Sequence, residues 1–184
     1  MRADSAALTR DGRRDRELHA ARDVTKAHTS SLSTFTSPES GPLALFAREG
    51  VDWYRDSPDS PTLDVHETEA RVPIVSSASG MPADEFDRAR AGDADGIVVA
   101  ATGLGNVTAA LGDAIAEADL PVVVASRCFA GPTAAVYGTP GGGARLRDAG
   151  ARFAADLPPW KARIALLLAV AADSVDDFEE LVAR

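Results

Sequence analysis

After Arg71 the hydrophobic pattern becomes regular, with short apolar runs alternating with segments of helical periodicity. Residues 72–76, 96–102 and 121–127 are nearly unbroken apolar runs of strand length. Strands that are buried on both faces of a parallel sheet have this composition, because neither side meets water. These runs therefore predict three buried strands, and residues 152–156 predict a short fourth one.

Between these strands the apolar positions recur at three- and four-residue intervals, which is typical of helices packed on one face. This spacing predicts helices over 81–91, 106–119 and 158–172 and a short helix near 145–150; two of these segments have a proline near the start. Residues 174–184 predict a closing amphipathic helix with a capping box at Ser174 and Asp177. Strands alternating with helices predict an α/β fold, here a small parallel-sheet domain of Rossmann or flavodoxin-like type over 71–184.

The segment before this domain has a different character. Residues 1–16 are polar, charged and aperiodic, which predicts disorder. Residues 43–46 and 51–54 are apolar and flank a turn with glycine, which predicts a hairpin. Residues 56–70 are rich in Pro, Asp and Ser and predict a linker. A lone hairpin is marginal in water, so we interpret 17–55 as the remnant of another α/β domain, with Leu43, Leu45, Phe46 and Trp53 exposed.

Charge and composition exclude several classes of partner. The net charge is −9, with 19 Asp against 9 Glu and 17 Arg against two Lys. Such a surface repels nucleic acid and anionic membranes, so the sequence predicts neither as a partner. Abundant Asp with little Lys is typical of salt-adapted proteins, although a GC-rich genome also favours Arg and Ala. No run approaches the roughly 20 apolar residues of a membrane span, and the N-terminus lacks a signal-peptide core.

The single cysteine, Cys128, allows no intrachain disulfide, which fits a reducing cytoplasm. Its neighbour Arg127 lies at a predicted strand end and could bind an anion or form a structural ion pair. A cysteine nucleophile would need an imidazole base, but all three histidines precede the C-terminal domain. No spacing of His, Cys, Asp or Glu predicts a metal site, and the sequence predicts no cofactor.

The loop TGLGN, residues 102–106, follows a predicted strand and precedes a predicted helix. In parallel α/β sheets, ligands meet the loops at the carboxyl ends of strands. Gly103 and Gly105 would let the backbone approach a ligand, and Asn106 would cap the helix. The pattern fits either a carboxylate- or phosphate-binding loop or a tight turn in which Asn106 only caps its helix.

Lys26 lies in the hydroxyl-rich stretch RDVTKAHTSS of a chain that otherwise prefers arginine. Most lysines are solvated surface residues, and Lys161 in a predicted amphipathic helix fits that description. A lysine retained beside several hydroxyls suggests that a compact ammonium able to lose its proton is required, because arginine stays protonated.

Four segments together resemble the asparaginase/glutaminase family of L-asparagine amidohydrolases. They are ARDVTKAHTSSLSTFTSPESGPL, GIVVAATGLGN, VVVASRC and LPPWKARIALLLA, in that order and at suitable spacing. The resemblance covers about 17–184. It implies a larger N-terminal domain that carries most catalytic residues and a smaller C-terminal α/β domain that completes a homo-oligomer.

The resemblance also implies a mechanism. A threonine in a TGGT-type motif attacks the side-chain amide, and a second threonine in a GTDT-type motif works with a lysine in the DVTK segment. Lys26 matches that lysine, whereas neither threonine motif occurs in the chain. The acyl-enzyme is then hydrolysed, which yields L-aspartate and ammonia. The resemblance implies no cofactor.

Asn106 matches the last residue of the family's GNGN loop, which reaches a neighbouring subunit's active site in periplasmic-type enzymes. Leu104 replaces the preceding asparagine, and the glycine-rich loop at 138–143 contains no glutamate for the corresponding contact across the interface. The resemblance therefore favours a cytoplasmic-type relative, and the composition favours a haloarchaeal one.

We expect this chain to be the C-terminal part of an asparaginase, truncated, split or frameshifted upstream, and inactive alone because it lacks the nucleophile. Translation of the upstream DNA in all frames would reveal the TGGT and GTDT motifs if this expectation holds. Two alternatives remain open: the asparaginase-like subunit of archaeal glutamyl-tRNA amidotransferase, and a non-catalytic module that binds acidic metabolites or oligomerises.

Overall fold

A computed structural model describes residues 6–10, 16–57 and 61–183. The chain forms two compact units, one within residues 1–60 and one over residues 61–183. Each unit has its own sheet, and the two sheets are of different kinds.

The N-terminal unit is built on a four-stranded antiparallel sheet and a separate two-stranded ribbon. The sheet has the strand order β1-β2-β5-β6, and the ribbon consists of β3 and β4. The strands are β1 (Ala6–Arg10), β2 (Arg16–Ala20), β3 (Thr25–Lys26), β4 (Phe35–Thr36), β5 (Ala44–Ala47) and β6 (Gly50–Trp53).

The hairpin predicted around the Arg48-Glu49-Gly50 turn is confirmed as β5 and β6. Residues 1–16 differ in part from the disorder predicted for them, because Ala6–Arg10 pair with Arg16–Ala20. The remainder of the predicted disordered segment, apart from Arg16, lies outside the described residues.

The exposure predicted for the apolar residues of this unit holds only in part. The side chain of Trp53 is 63% exposed, as expected. Leu43 was expected to be exposed but is buried, as are Ala20 and Ala44, where β5 pairs with β2. Leu45 and Phe46 are half-buried.

The C-terminal unit contains a four-stranded sheet in which every pair of neighbours is parallel. The predicted α/β class is therefore confirmed. The strands are β7 (Ile74–Ser76), β8 (Ile97–Ala101), β9 (Val122–Ser126) and β10 (Arg152–Phe153). The helices are α1 (Asp84–Ala91), α2 (Ala109–Ala116), α3 (Gly143–Asp148), α4 (Pro159–Ala171) and α5 (Phe178–Leu181).

Both faces of this sheet are covered, which explains why β8 and β9 are buried throughout and apolar except for Ser126 at the end of β9. Alternate side chains point to opposite faces of a strand, so Val99 and Val98 enter different cores. Phe86, Leu111 and Leu146 of α1, α2 and α3 cover one face. The helices α4 and α5 cover the other face, through side chains that include Leu166 and Phe178.

The start of the closing helix differs from the sequence prediction. The closing helix is a short segment, α5, and the Ser174 hydroxyl donates to the Ala172 carbonyl instead of capping it. The Asp177 N–H donates to the Ser174 carbonyl, and the Phe178 N–H donates to the Val175 carbonyl. These tight turns contain the residues that were predicted to form the first turn of the helix. By contrast, α4 begins at Pro159, as the proline signal predicts.

Strands β7 to β10 lie side by side in chain order. A doubly wound sheet opens a ligand crevice where the strand order reverses, and the four described strands contain no such reversal. Any ligand chemistry at this sheet therefore depends on the loops that follow the carboxyl ends of β7, β8 and β9.

Candidate functional site

Lys26 lies on the two-stranded ribbon of the N-terminal unit. Thr25 pairs with Thr36 and Lys26 with Phe35, and the Ala27 N–H donates to the Thr34 carbonyl at 2.7 Å. The ribbon is therefore a small hairpin-like element whose tip is formed by residues 28–34.

The tip of the ribbon is closed by its own polar groups. His28 Nδ1 accepts hydrogen bonds from the backbone N–H groups of Ser30, at 3.1 Å, and Ser31, at 3.0 Å. The Thr34 hydroxyl accepts from the His28 N–H at 3.0 Å and donates to the His28 carbonyl. One hydroxyl of this stretch, that of Thr34, thus helps to fix the loop, and His28 serves as a hydrogen-bond acceptor within it.

The Lys26 ammonium faces outward. Its side chain is exposed, and Nζ lies 5.9 Å from the centre of the Phe35 ring, within the range of a cation–π contact. The ring itself is 44% exposed. A lysine that acts as a base needs a site that removes water from the ammonium, and the described residues of this unit leave Lys26 solvated.

Two buried polar contacts fasten the ribbon to the antiparallel sheet. Before β3, the Asp23 carboxylate accepts from Arg55 Nη2 at 2.7 Å, and only 5% of the Asp23 side chain is exposed. The same Arg55 nitrogen donates to the Gly41 carbonyl at 3.0 Å. After β4, Ser37 Oγ lies 2.9 Å from His19 Nδ1. Both contacts lie at the same end of the strand pair, opposite its tip, so the base of the lysine-bearing ribbon is fixed.

The TGLGN loop in the C-terminal unit is a tight turn after β8. The Thr102 N–H and hydroxyl both donate to the Asn106 carbonyl at 2.9 Å, and the Asn106 N–H donates back to the Thr102 carbonyl at 2.9 Å. Gly103 and Gly105 have φ values of 53° and 112°, which favour glycine. The glycines are therefore required by the turn itself.

Asn106 does not cap α2, contrary to the sequence prediction. The cap is Thr108, whose hydroxyl accepts from the Leu111 N–H at 3.3 Å. Asn106 is half-buried, and its Oδ1 accepts from the Gly143 N–H at 3.2 Å. The Gly143 N–H needs an acceptor, so it is the amide oxygen Oδ1 of Asn106 that makes this bond. The amide nitrogen Nδ2 has no hydrogen-bond partner among the described residues.

The glycine-rich loop at 138–143 is packed closely against the start of α2 and its own neighbouring backbone. A Cβ atom on Gly141 would lie 2.4 Å from the Val107 carbonyl oxygen, and one on Gly142 would lie 2.2 Å from that of Tyr137. Both glycines are buried. This loop therefore supports the turn that holds Asn106, and close backbone packing explains its composition.

Arg127 and Cys128 lie in the loop after β9 but do not form a joint reactive site. Both residues are exposed. The Ser126 hydroxyl donates to the Gly103 carbonyl at 2.6 Å and accepts from the Cys128 N–H at 3.1 Å, which ties this loop to the TGLGN turn. Within the described part of the chain, no group of three or more His, Cys, Asp or Glu residues could hold a metal ion.

Sequence reasoning missed His19 and its partners. His19 is only 1% exposed and contacts both Ser37 and Glu17. Glu17 and His19 are two residues apart on β2, so their side chains lie on one face of the strand. A strand prediction for 16–20 would have placed these two side chains together, but the segment was interpreted without one.

Two known family domains match this chain. The glutaminase/asparaginase C-terminal domain matches residues 71–182, and the asparaginase N-terminal domain matches residues 13–59. No helix within the described residues is both long enough and apolar enough to traverse a lipid bilayer.

Two curated relatives are similar over most of the chain. A probable L-asparaginase of Deinococcus radiodurans is 38% identical over 156 residues, which are 83% of this chain and 48% of the relative. A probable periplasmic L-asparaginase of Haemophilus influenzae is 33% identical over 162 residues, which are 84% of this chain and 45% of the relative. The chain thus spans about half the length of the curated relatives it matches.

Proposed function

Because the chain belongs to the asparaginase/glutaminase family, we propose that it takes part in the hydrolysis of L-asparagine to L-aspartate and ammonia. Its contribution is Lys26, as the acid/base helper of a threonine nucleophile, together with the C-terminal domain of the enzyme. The names of both curated relatives support an asparaginase-type activity.

The observation that carries this proposal is the exposure of Lys26 on the ribbon. The match to the asparaginase N-terminal domain includes the whole ribbon, and both strands of that ribbon are fastened at its base while its ammonium remains exposed. The sequence contains neither a TGGT nor a GTDT motif. A threonine from a segment outside these 184 residues would therefore meet an exposed amine on a strand pair whose base is already fixed.

In the proposed reaction, Lys26 as a neutral amine accepts the proton that the threonine system releases. The threonine oxygen bonds to the side-chain amide carbon, the carbon–nitrogen bond breaks, and the nitrogen leaves as ammonia with a proton. Water then cleaves the acyl-threonine ester, which restores the hydroxyl and releases L-aspartate. A threonine hydroxyl is a weak nucleophile, so the step depends on a base.

Measurement of ammonia release from L-asparagine tests this proposal. The 184-residue polypeptide alone is expected to release none above its Lys26→Ala variant, because a base without its nucleophile has nothing to activate. Co-expression with a polypeptide that carries the TGGT and GTDT threonines is expected to give turnover. Turnover by the chain alone, or none by the co-expressed pair, would overturn the proposal.

For Asn106 we propose a contact to substrate across a subunit interface in a homo-oligomer. The support is its Nδ2, which has no partner in the described residues and can donate to a carboxylate. Leu104 in the preceding asparagine position and the lack of Glu in the glycine-rich loop favour the cytoplasmic type of the family. An Asn106→Ala variant of the co-expressed enzyme with an unchanged KM would argue against the contact.

We also propose that the protein is salt-adapted and of haloarchaeal type. The support is the excess of Asp, the near-absence of Lys and the net charge of −9. Repulsion between exposed carboxylates falls as salt shortens the Debye length to about 3 Å at 1 M. The thermal unfolding midpoint should therefore rise with KCl concentration, and a midpoint that stays constant or falls would contradict salt adaptation.

A further inference from the structure

A buried chain of hydrogen bonds joins the antiparallel sheet of the N-terminal unit to the end of the lysine-bearing ribbon. His19, on β2, has Nδ1 at 2.9 Å from Ser37 Oγ and Nε2 at 3.1 Å from Glu17 Oε2. His19 is 1% exposed and Ser37 is 6% exposed, whereas 41% of the Glu17 side chain is exposed. The imidazole is thus enclosed between a hydroxyl and a carboxylate.

The partners of the imidazole decide which nitrogen carries the proton. An ionised carboxylate only accepts hydrogen bonds, so Nε2 carries the proton that faces Glu17. In the neutral ring Nδ1 then accepts from the Ser37 hydroxyl. The carboxylate therefore fixes the orientation of the ring, and the ring fixes Ser37.

Glu17, His19 and Ser37 have the residue types of a nucleophile, its base and an orienting acid. Burial of Ser37 keeps substrate away from its oxygen, so the arrangement is not a hydrolytic centre. The buried bond between His19 and Ser37 instead holds one arrangement of the backbone, because either group would be left without its partner if the other moved.

We propose that His19 is a positioning residue for Lys26. Ser37 follows β4 directly, and β4 contains Phe35, which pairs with Lys26 in the ribbon and lies beneath its ammonium. The His19–Ser37 bond thus fixes the strand on which the lysine rests, while the Arg55–Asp23 pair fixes the start of the lysine strand. A catalytic use of this effect rests on the function proposed above for Lys26.

The two lysines make this effect measurable in the whole chain without any enzymatic assay. Reductive methylation with ¹³C-formaldehyde labels Lys26, Lys161 and the α-amino group of the polypeptide and keeps their charge, and Lys26→Arg and Lys161→Arg variants assign the signals. A nuclear Overhauser cross-peak between the Lys26 methyl groups and the Phe35 ring then reports the position of the lysine. The Lys161 signal reports the C-terminal unit as an internal control.

Two substitutions at position 19 test the two nitrogens of the imidazole separately. Asparagine at position 19 places a polar atom near the position of Nδ1 and can keep the bond to Ser37, whereas glutamine places one near Nε2 and keeps only the bond to Glu17. The cross-peak is expected to persist in His19→Asn and to be lost in His19→Gln and Ser37→Ala. Ser33→Ala, an exposed hydroxyl within the ribbon tip, is the matched control and should keep it.

A full-strength cross-peak in both His19→Gln and Ser37→Ala would overturn the positioning role, and so would equal loss in His19→Asn and His19→Gln. Loss in Ser37→Ala alongside retention in Ser33→Ala supports the role even if a His19 variant fails to fold. Because the measurement uses no substrate, it remains informative if the co-expressed enzyme proves inactive. Inactivity would overturn the proposed function and leave the structural link between His19 and Lys26 intact.

Discussion

Lys26→Ala is expected to lower asparagine turnover by about 10²–10⁴-fold in the enzyme assembled from this chain and a polypeptide with the two threonines. The methyl group of alanine can neither accept nor return the proton of the threonine. The contact of Lys26 with Phe35 would also be lost, but Phe35 remains paired in the ribbon backbone. The measurement is the kcat for ammonia release at saturating L-asparagine.

Two further variants separate the chemistry of the amine from its charge. Lys26→Arg retains the positive charge and the cation–π contact but cannot give up its proton, so it should lose as much activity as the alanine variant. Lys161→Ala changes the other lysine, on α4, and should retain the activity. An arginine variant as active as the wild type would show that charge alone matters at position 26.

Leu166→Ala is expected to destabilise the C-terminal unit by about 2–5 kcal/mol, which is the range for a buried leucine that leaves a cavity. Leu166 has no exposed surface and lies in the core between α4 and the sheet. It approaches Gly96 so closely that a Cβ atom there would lie 3.1 Å from its Cδ2. A loss of this size is a large part of the roughly 5–15 kcal/mol that stabilises a typical domain.

Urea unfolding followed by the helical circular dichroism signal measures this effect, because all five described helices belong to the C-terminal unit. Ile164→Ala on the same helix is the matched control. The Ile164 side chain is 50% exposed, so its truncation removes less buried area and should cost clearly less stability. Equal losses for the two variants would contradict the packing of α4 described above.

The C-terminal sheet was predictable because its central strands are buried on both faces. Runs such as Ile97–Ala101 and Val122–Ser126 have no polar residue except the terminal serine. Few structures other than a strand buried on both faces contain apolar runs of that length. Pro159 likewise marked the start of α4. In these elements local propensity and tertiary packing favour the same structure.

Elements that depend on contacts distant in sequence were predicted less well. Asn106 was assigned to the cap of α2, but its amide binds the N–H of Gly143, 37 residues away, and Thr108 forms the cap. Similarly, the burial of Leu43 depends on pairing between β2 and β5, which no local pattern specifies. Sequence periodicity contains no information on such partners.

The candidate site was likewise predictable only in part. Lys26 could be proposed as a site residue from the sequence, because lysine is so rare in this chain and because the surrounding motif resembles a known family, and that assignment stays a prediction. Its support by His19 and Ser37 could not be found, since it depends on a bond between residues 18 positions apart, one on β2 and the other just after β4. The chemistry of a site is thus easier to predict from residue types than the contacts that position it.

The most direct test of an amine at position 26 as the proton acceptor is chemical rescue. A Lys26→Cys substitution in a Cys128→Ser background leaves one thiol in this chain, which 2-bromoethylamine converts into a lysine analogue. The unmodified variant of the assembled enzyme should release almost no ammonia from L-asparagine, and alkylation should restore a large part of the wild-type kcat. Activity that is already near wild type before alkylation, or that alkylation leaves absent in a correctly assembled enzyme, would contradict the role proposed for Lys26.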